Sequence, residues 1–174
     1  MKEMVRYGLV LAIICVVASL SLALMNSLTR SRILAQARAE EEESLKEVIP
    51  GAVRFEPVKS GEDILYYKAY RQDGLLAGVA FKASQKGYSS VVETMAGMKK
   101  DGTIVAIKVI SQNETPGLGA RIAEPPFTAQ FKNKSIADLS GVQAVTGATI
   151  SSRAVIDAVT KKSKEIKALI KDVK

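Results

Sequence analysis

The chain has 174 residues, and its 25 Lys and Arg against 18 Asp and Glu give a net charge of +7. It contains no histidine and a single cysteine, which excludes a Ser-His-Asp triad, a histidine-ligated haem, a zinc ribbon, an iron–sulfur site and an intramolecular disulfide. Aromatic residues make up only 5% of the chain and are not interleaved with Lys or Arg, so we expect no nucleic-acid partner. Redox chemistry would need a bound cofactor, and we expect neither a catalytic side chain nor a metal site.

The first predicted element is a membrane-spanning helix. No charged side chain lies between Arg6 and Arg30, and residues 8–25 are almost wholly apolar. About 20 apolar residues in a helix cross the hydrocarbon core of a bilayer. A cleaved signal peptide is the alternative, because Lys2 precedes the apolar stretch, but the stretch is long for a signal peptide and no A-x-A site follows it. We predict an uncleaved, single-pass anchor over residues 1–28 in contact with membrane lipid.

Basic residues flank both ends of this predicted anchor. Lys2 and Arg6 precede it, whereas Arg30, Arg32 and Arg38 follow it. The positive-inside count therefore does not decide the orientation, and long C-terminal domains can be translocated largely regardless of charge. The charges leave open which side of the cell membrane carries the rest of the chain.

A polar, alanine-rich helical stalk is predicted over residues 29–50, where Pro50-Gly51 ends the helix. The run Glu40–Glu43 near its end is acidic. Such a run is either a solvated helix face or an interaction patch. Residues 51–174 are predicted to form one globular domain.

This domain begins with a pattern of period two, which is typical of half-buried strands. Two pairs of strand-like runs follow each other, and an Asp-Gly turn, a strong hairpin signal, joins the members of each pair. The runs cover residues 64–72, 75–82, 90–98 and 103–110, with Asp73-Gly74 and Asp101-Gly102 at the turns. There is no alternation of strands and helices, so we predict an α+β fold with an antiparallel sheet rather than a Rossmann sheet.

After the sheet, residues 114–131 are predicted to be irregular with short helical pieces, because three prolines interrupt them. The last predicted element is an amphipathic helix over residues 150–173. Its apolar stripe consists of Val155, Val159, Ile166, Ile170 and Val173.

The first motif with possible chemistry is Glu114-Thr115-Pro116-Gly117-Leu118-Gly119, which directly follows the last predicted strand. Consecutive Pro and Gly suit a type II turn, and two glycines let the backbone approach a ligand closely. The segment is either a ligand-binding loop or simply a tight connection. It is not a dinucleotide fingerprint, because Ile122 occupies the position of the third glycine.

The second motif, residues 146–152, reads Thr-Gly-Ala-Thr-Ile-Ser-Ser and precedes the amphipathic helix. One interpretation is that Thr149, Ser151 or Ser152 caps this helix. The other is an anion site, since a helix N-terminus offers unpaired N–H groups and a positive dipole end. Gly147 and Ala148 leave room for a phosphate or its ester, to which a threonine hydroxyl would bond or become attached.

Together these motifs resemble a known family. Residues 146–152 look like the attachment motif of the FMN-binding domain family, in which S/T-G-A-T carries the flavin through a phosphoester. The anchor, the ETPGLG segment, Phe131 with Lys134, and TGATIS occur in an order that resembles the G subunit of the Rnf electron-transport complex, over essentially the whole chain. The related C subunit of the sodium-translocating NADH:quinone reductase shares this plan, usually on a longer chain.

The resemblance implies an FMN bound covalently to the Thr149 hydroxyl, attached by a separate flavin transferase. It also implies that the flavin lies against Glu114, Thr115, Gly117, Leu118 and Gly119, with Thr146, Gly147 and Ala148 in the attachment loop. The chain would then relay electrons within an ion-translocating ferredoxin:NAD oxidoreductase, the Rnf complex. Its partners would be polytopic membrane subunits and soluble electron-carrier subunits, and its soluble domain would be extracytoplasmic.

Two positions depart from the family pattern. Gln143 stands three residues before Thr146, where the family often has Asp, and residues 111–113 lack the histidine often found before the glutamate. An acid read by the transferase would be missing, so flavin attachment could be less efficient. Two other functions remain open: a free-standing, membrane-tethered FMN electron carrier for another reductase, and a module without flavin that binds an anionic ligand.

Overall fold

The computed structural model describes residues 2–170. The first helix, α1, runs without interruption from Lys2 to Val48, so residues 29–48 are helical and the helix ends just before Pro50. The chain divides into two compact units between Glu40 and Glu41. The long, apolar part of α1 therefore belongs to the first unit, and its last two turns belong to the second.

In the first unit the apolar side chains are exposed. Within the described residues, α1 is the one helix that is long and apolar enough to cross a membrane, and its most apolar stretch has a mean hydropathy of 2.7. Exposed apolar side chains along a whole helix are stable in lipid, since the hydrocarbon core replaces the missing protein contacts.

The second unit is built on a five-stranded sheet. Its strands lie in chain order, and every neighbouring pair is antiparallel. This confirms the predicted α+β fold with an antiparallel sheet. The strands are β1 (Arg54–Ser60), β2 (Asp63–Tyr70), β3 (Leu76–Lys86), β4 (Val91–Met98) and β5 (Ile104–Ser111).

Both predicted Asp-Gly turns are present. Gly74 and Gly102 have φ of +78° and +94°, a conformation that glycine adopts at little cost. In each turn the preceding aspartate accepts a hydrogen bond from the backbone N–H two residues on, Asp73 from Leu75 at 3.0 Å and Asp101 from Thr103 at 2.8 Å. Local side-chain chemistry therefore sets the register of these two hairpins.

Strand β1 has no counterpart among the predicted strands. Pro57 interrupts its sequence and lacks an N–H group for a sheet hydrogen bond, which hides the strand pattern. The structure accommodates this residue because β1 is an edge strand with β2 as its single neighbour in the sheet.

One face of the sheet is covered by the end of α1. Leu45, Val48 and Ile49 are buried there with Tyr67 and Met95. Glu41, within the acidic run, forms an ion pair with Lys82 at 2.9 Å and accepts a hydrogen bond from the Tyr67 hydroxyl at 2.8 Å. Glu41 therefore contacts the sheet, and at least this residue of the acidic run is not part of a purely solvated helix face.

The other face of the sheet is covered by α3 (Thr149–Ile170) and by the irregular segment before it. That segment contains three 3₁₀ turns and the short helix α2, and it packs around Phe127 and Phe131, whose rings meet edge to face. The predicted irregular segment and the predicted last helix are confirmed, although Val173 lies outside the described residues. The short elements are Gly119–Ala123, α2 (Pro125–Thr128), Ala129–Phe131 and Ile136–Gly141.

Candidate functional site

A cavity lies where the loop after β5 meets the N-terminus of α3. Its volume is about 550 Å³, within the range of about 300–1,000 Å³ that small-molecule sites occupy. Its lining combines both sequence motifs with one residue from the β3–β4 loop. The lining residues are Tyr88, Glu114, Thr115, Leu118, Gly119, Gly147, Ala148, Thr149, Ile150 and Ser151.

Seven of the nine predicted site residues line this cavity: Glu114, Thr115, Leu118, Gly119, Gly147, Ala148 and Thr149. The other two lie elsewhere. Gly117 forms the predicted turn, with φ of +74° and a hydrogen bond from the Leu118 N–H to the Thr115 carbonyl. Thr146 lines a neighbouring cavity of about 220 Å³ together with Gln143. That the nine residues contact FMN stays a prediction.

Glu114 is the most heavily bonded side chain of the site. It is 5% exposed, and its Oε1 accepts hydrogen bonds from the Ser89 and Ser90 N–H groups at 3.0 Å each. Its Oε2 accepts one from the Tyr88 N–H at 3.2 Å and one from the Ser151 hydroxyl at 2.5 Å. The carboxylate thus joins the β3–β4 loop to the first turn of α3.

These hydrogen bonds control the protonation of Glu114. Burial by itself would raise the pKa of this carboxyl, because desolvation penalises the charged form. The hydrogen bonds from the Ser151 hydroxyl and from the three backbone N–H groups stabilise the carboxylate more strongly, and the pKa lies below its ordinary value of 4.5. Glu114 is therefore a negatively charged acceptor at neutral pH.

Further backbone contacts fix the same two loops. The Glu114 N–H donates to the Gln112 side-chain oxygen at 2.6 Å, and the Asn113 N–H donates to the Ser90 hydroxyl oxygen at 2.8 Å. The Gly87 N–H donates to the Ser90 carbonyl at 2.7 Å. These hydrogen bonds consequently fix the β3–β4 loop and the loop after β5, which form part of the cavity wall.

The start of helix α3 does not agree with the capping interpretation. The Ser152 N–H donates to the Ala148 carbonyl at 2.9 Å, so Ala148 occupies the cap position and Thr149 is the first helical residue. Of the two interpretations, the one in which Thr149, Ser151 or Ser152 caps the helix is therefore wrong. The Ser152 hydroxyl oxygen instead accepts the Val145 N–H at 3.0 Å, which closes the loop around Gly147, whose φ is +83°.

Thr149 is left with a free hydroxyl group. It is exposed on the cavity wall, and its Oγ1 forms no hydrogen bond with the described part of the chain. The first-turn N–H groups of α3 have no acceptor within the helix and carry the positive end of its dipole. Thr149 thus presents a hydroxyl beside donors suited to an anion.

The cavity lining contains no Lys or Arg among the residues that the structure describes. Its one ionised side chain is Glu114, whose oxygens already accept hydrogen bonds from the protein. An anionic ligand would therefore depend on helix N–H groups rather than on a cationic side chain.

Three lining residues were absent from the predicted site. Tyr88 is 69% exposed at the cavity rim, and its only sequence signal was its place in the loop between two predicted strands. Ile150 and Ser151 belong to the second motif, and Ser151 was predicted only as a cap. Its hydrogen bond to Glu114 spans 37 positions in the chain, which no local pattern reveals.

Comparisons with known proteins identify the family of the chain. The family description "FMN-binding domain" matches residues 87–164, and "RnfG N-terminal region" matches residues 1–48. The G subunit of the ion-translocating oxidoreductase complex of Methanosarcina acetivorans is 35% identical, over 90% of this chain and 91% of that protein. The G subunit of the Na(+)-translocating ferredoxin:NAD(+) oxidoreductase complex of Acetobacterium woodii is 30% identical, over 91% and 89%.

A solved structure agrees at the level of the fold. The crystal structure of the C subunit of the Na(+)-translocating NADH-quinone reductase from Parabacteroides distasonis superimposes with a TM-score of 0.51. It is 26% identical and the match covers 60% of this chain and 61% of that one.

Proposed function

The chain belongs to the family of G subunits of ion-translocating oxidoreductase complexes, and on this premise we propose that it is a membrane-anchored flavoprotein subunit of such a complex. It relays electrons through FMN between other carriers of the ferredoxin:NAD(+) oxidoreductase. The relatives named above match over nearly their whole length. Neither a free-standing carrier nor a module without flavin is favoured by that similarity.

The observation that carries the proposal is the free Thr149 hydroxyl on the cavity wall at the first turn of α3. The residues present fit an FMN group. The cavity has the volume of a small-molecule site, and Gly147, Ala148 and the adjoining helix N–H groups leave room and donors for a phosphate. Thr115, Leu118 and Gly119 offer the remaining wall to the rest of the flavin.

We propose that FMN is bound covalently to Thr149. With no Lys or Arg in the cavity lining, charge attraction contributes little to holding a phosphate, and a covalent bond keeps the flavin in place in every redox state. Direct condensation with FMN would release water and is unfavourable in water, so we infer a donor in which the FMN phosphate is activated as a phosphoanhydride, such as a flavin dinucleotide. A transferase then forms the Thr149 Oγ1–phosphorus bond and breaks the phosphoanhydride, and the hydroxyl proton leaves as the nucleoside monophosphate departs.

When bound, FMN supplies the electron-transfer chemistry, while the protein supplies binding, orientation and electrostatics. The first turn of α3 would offer its N–H groups and positive dipole end to a phosphoester at Thr149. Gly117 and Gly119 let the loop after β5 approach closely, and Leu118 and Ile150 add apolar surface to the cavity lining. No catalytic side chain is required for a relay.

The proposal extends to the organisation of the whole chain. Residues 1–28 anchor the chain in lipid, and residues 29–40 form the stalk. The FMN-binding domain, predicted over residues 51–174, begins at residue 41, because the last two turns of α1 belong to the second unit. This domain lies on the extracytoplasmic side. The exposed apolar helix supports the anchor, and family membership supports both the topology and partnership with polytopic membrane subunits and soluble electron-carrier subunits. Because Gln143 replaces an acid, attachment by the transferase is expected to be slower than on relatives that keep it.

The experiment is fluorescence of the denatured chain on a gel under ultraviolet light, after production together with a flavin transferase. We expect a fluorescent band for the natural chain and none for Thr149→Ala. Thr160→Ala is a matched control, because Thr160 lies on the same helix and bonds the Ile156 carbonyl at 2.7 Å, away from the cavity. A band that persists in Thr149→Ala would contradict the assignment of this residue.

A further inference from the structure

The Glu114 carboxylate has no remaining capacity to bind a flavin. An ionised carboxylate offers about four lone-pair sites on its two oxygens. Three backbone N–H groups and the Ser151 hydroxyl fill them, and the Ser90 hydroxyl lies 3.4 Å from Oε1 as a fifth donor. Direct recognition of a ligand by this side chain would require one of these bonds to break.

The position of these donors gives the carboxylate a different task. Ser151 is two residues after Thr149 in the first turn of α3, whereas Tyr88, Ser89 and Ser90 belong to the β3–β4 loop. Within this site, the Glu114–Ser151 contact is a side-chain hydrogen bond between the loop after β5 and the helix that carries the Thr149 hydroxyl. A charge-assisted bond of 2.5 Å is among the stronger kinds of hydrogen bond.

Two glycines keep space for this carboxylate. A Cβ on Gly119 would lie 2.7 Å from the Glu114 Cβ and 3.2 Å from the Ser151 Oγ. A Cβ on Gly87 would lie 2.7 Å from the Glu114 Oε1. Both contacts are too short for an alanine unless Glu114 moves, so the backbone on both sides is shaped around the carboxylate.

We propose that Glu114 is a positioning residue for flavin attachment: through Ser151 it holds the first turn of α3 against the β3–β4 loop, and thereby sets where the Thr149 hydroxyl stands in the cavity. This inference rests on the proposed function, since it concerns the attachment step. In that step the Thr149 Oγ1–phosphorus bond forms as the phosphoanhydride of a flavin dinucleotide breaks. A misplacement of about 1 Å in such a step can lower its rate by about 100-fold.

The test is the kinetics of flavin transfer to the full-length, flavin-free chain in detergent micelles, with a flavin transferase and a flavin dinucleotide. Ser151→Ala is the main variant, because it removes the link to α3 and leaves the carboxylate with its three backbone donors. We expect kcat for attachment to fall by about tenfold or more, with KM for the chain unchanged. Because loss of the hydrogen bond lowers the unfolding temperature, both constants are measured at a temperature where the variant remains folded. A purely structural role would not produce this split between kcat and KM.

Ser163→Ala is the matched control. Ser163 lies on the same helix and is fully buried, and its hydroxyl has no hydrogen-bond partner among the described residues, so its removal should leave attachment unchanged. Gly119→Ala is the second variant, since it retains both bonding groups but pushes them apart, and it should lower kcat in the same way.

Natural kcat in both Ser151→Ala and Gly119→Ala would overturn the inference. So would a fall in kcat that only follows the fraction of unfolded chain. If the natural chain and Ser163→Ala accepted no flavin, the proposed function itself would fail and the inference with it. Normal attachment to these two chains with slow attachment to the two variants supports both.

Discussion

Thr149 and Ser151 are two residues apart in the first turn of α3, yet their hydroxyl groups have different surroundings. The Thr149 hydroxyl is free on the cavity wall, whereas the Ser151 hydroxyl donates to the buried Glu114 carboxylate. At the residue scale, the Thr149 hydroxyl is therefore available for bonding, whereas Ser151 and Glu114 hold the first turn of α3 in place. Neither of these two roles requires an imidazole to transfer a proton, so they are compatible with a chain that contains no histidine.

Glu114 should make the stability of the domain dependent on acid pH. Its pKa is lower in the folded chain than its ordinary value of 4.5, so it contributes stability above about that pH and loses it as the pH falls through the folded-state pKa. Glu114→Gln should destabilise the domain at pH 7 by about 1–3 kcal/mol for each donor left without an acceptor. The measurement is chemical unfolding of the natural chain and the variant from pH 7 down to acid pH.

The difference between the natural chain and Glu114→Gln should shrink as the pH falls. Glu93→Gln is the matched control, since Glu93 is exposed on β4 and its substitution should change stability by less than about 0.5 kcal/mol. A difference that stays constant down to acid pH would show that the charge of Glu114 does not stabilise the fold.

Local sequence was sufficient to predict the two motifs of the site but not the bonds between them. The small residues around Gly147 and the Pro-Gly pair at Gly117 carry their own conformational preferences, so both loops were recognisable. The contact of Ser151 with Glu114 depends on how α3 packs on the sheet, and the capping role predicted for Ser151 was wrong for the same reason. Long-range pairing of buried polar groups leaves no periodic signal.

At the scale of elements, the sheet is covered on both faces, and the end of α1 supplies one of the covers. The helix approaches β4 so closely that a Cβ on Gly97 would lie 2.1 Å from the Val48 carbonyl oxygen and 2.8 Å from the Ile49 Cγ1. Since the nearest atom is backbone, no side-chain rotation can relieve this contact. Gly97 is therefore required for the helix to pack on the strand.

Gly97→Ala should destabilise the second unit by about 1–3 kcal/mol or more, the usual cost of overpacking a core. Gly141→Ala is the control, because a Cβ at Gly141 meets no atom within 4 Å. Thermal unfolding followed by circular dichroism compares the two variants with the natural chain. Equal unfolding temperatures for all three would mean that α1 does not pack against β4 in this way.

The position at which a soluble fragment is cut should also matter. Leu45, Val48 and Ile49 are almost fully buried, and each contributes about 1.5–3 kcal/mol by burial, against a total stability of about 5–15 kcal/mol for a typical domain. A fragment of residues 41–174 should unfold cooperatively, whereas residues 51–174 should be strongly destabilised or aggregate. Equal unfolding temperatures for the two fragments would contradict the role of the α1 end in the core.

Elements with a strong local pattern were predictable, and those defined by their neighbours were not. The two Asp-Gly hairpins and the amphipathic α3 follow from turn chemistry and periodicity. Strand β1 contains Pro57 and is stabilised by its pairing with β2, so its own sequence is a weak signal. The last turns of α1 resemble a polar stalk by composition, and only their packing on the sheet makes Leu45 and Val48 core residues.

At the scale of the whole molecule, one chain combines an apolar helix with a cofactor-sized cavity, and it contains no histidine and only one cysteine. The family relationship extends over both parts, with one match at residues 1–48 and another at residues 87–164. The single cysteine, Cys15, lies in the exposed apolar helix, which belongs to the first unit. In the proposed electron relay, the mature chain keeps its anchor and gains its redox group by attachment at Thr149.

Intact mass spectrometry of the mature chain, purified from membranes of cells that also produce the flavin transferase, tests this proposal most directly. We predict the mass of the full chain with its anchor plus one FMN less one water, and no added mass for Thr149→Ala. A full-length chain without added mass would contradict covalent attachment, and an unchanged addition on Thr149→Ala would contradict the role of that residue. A chain shortened at the N-terminus would show that the apolar helix is removed instead of serving as an anchor.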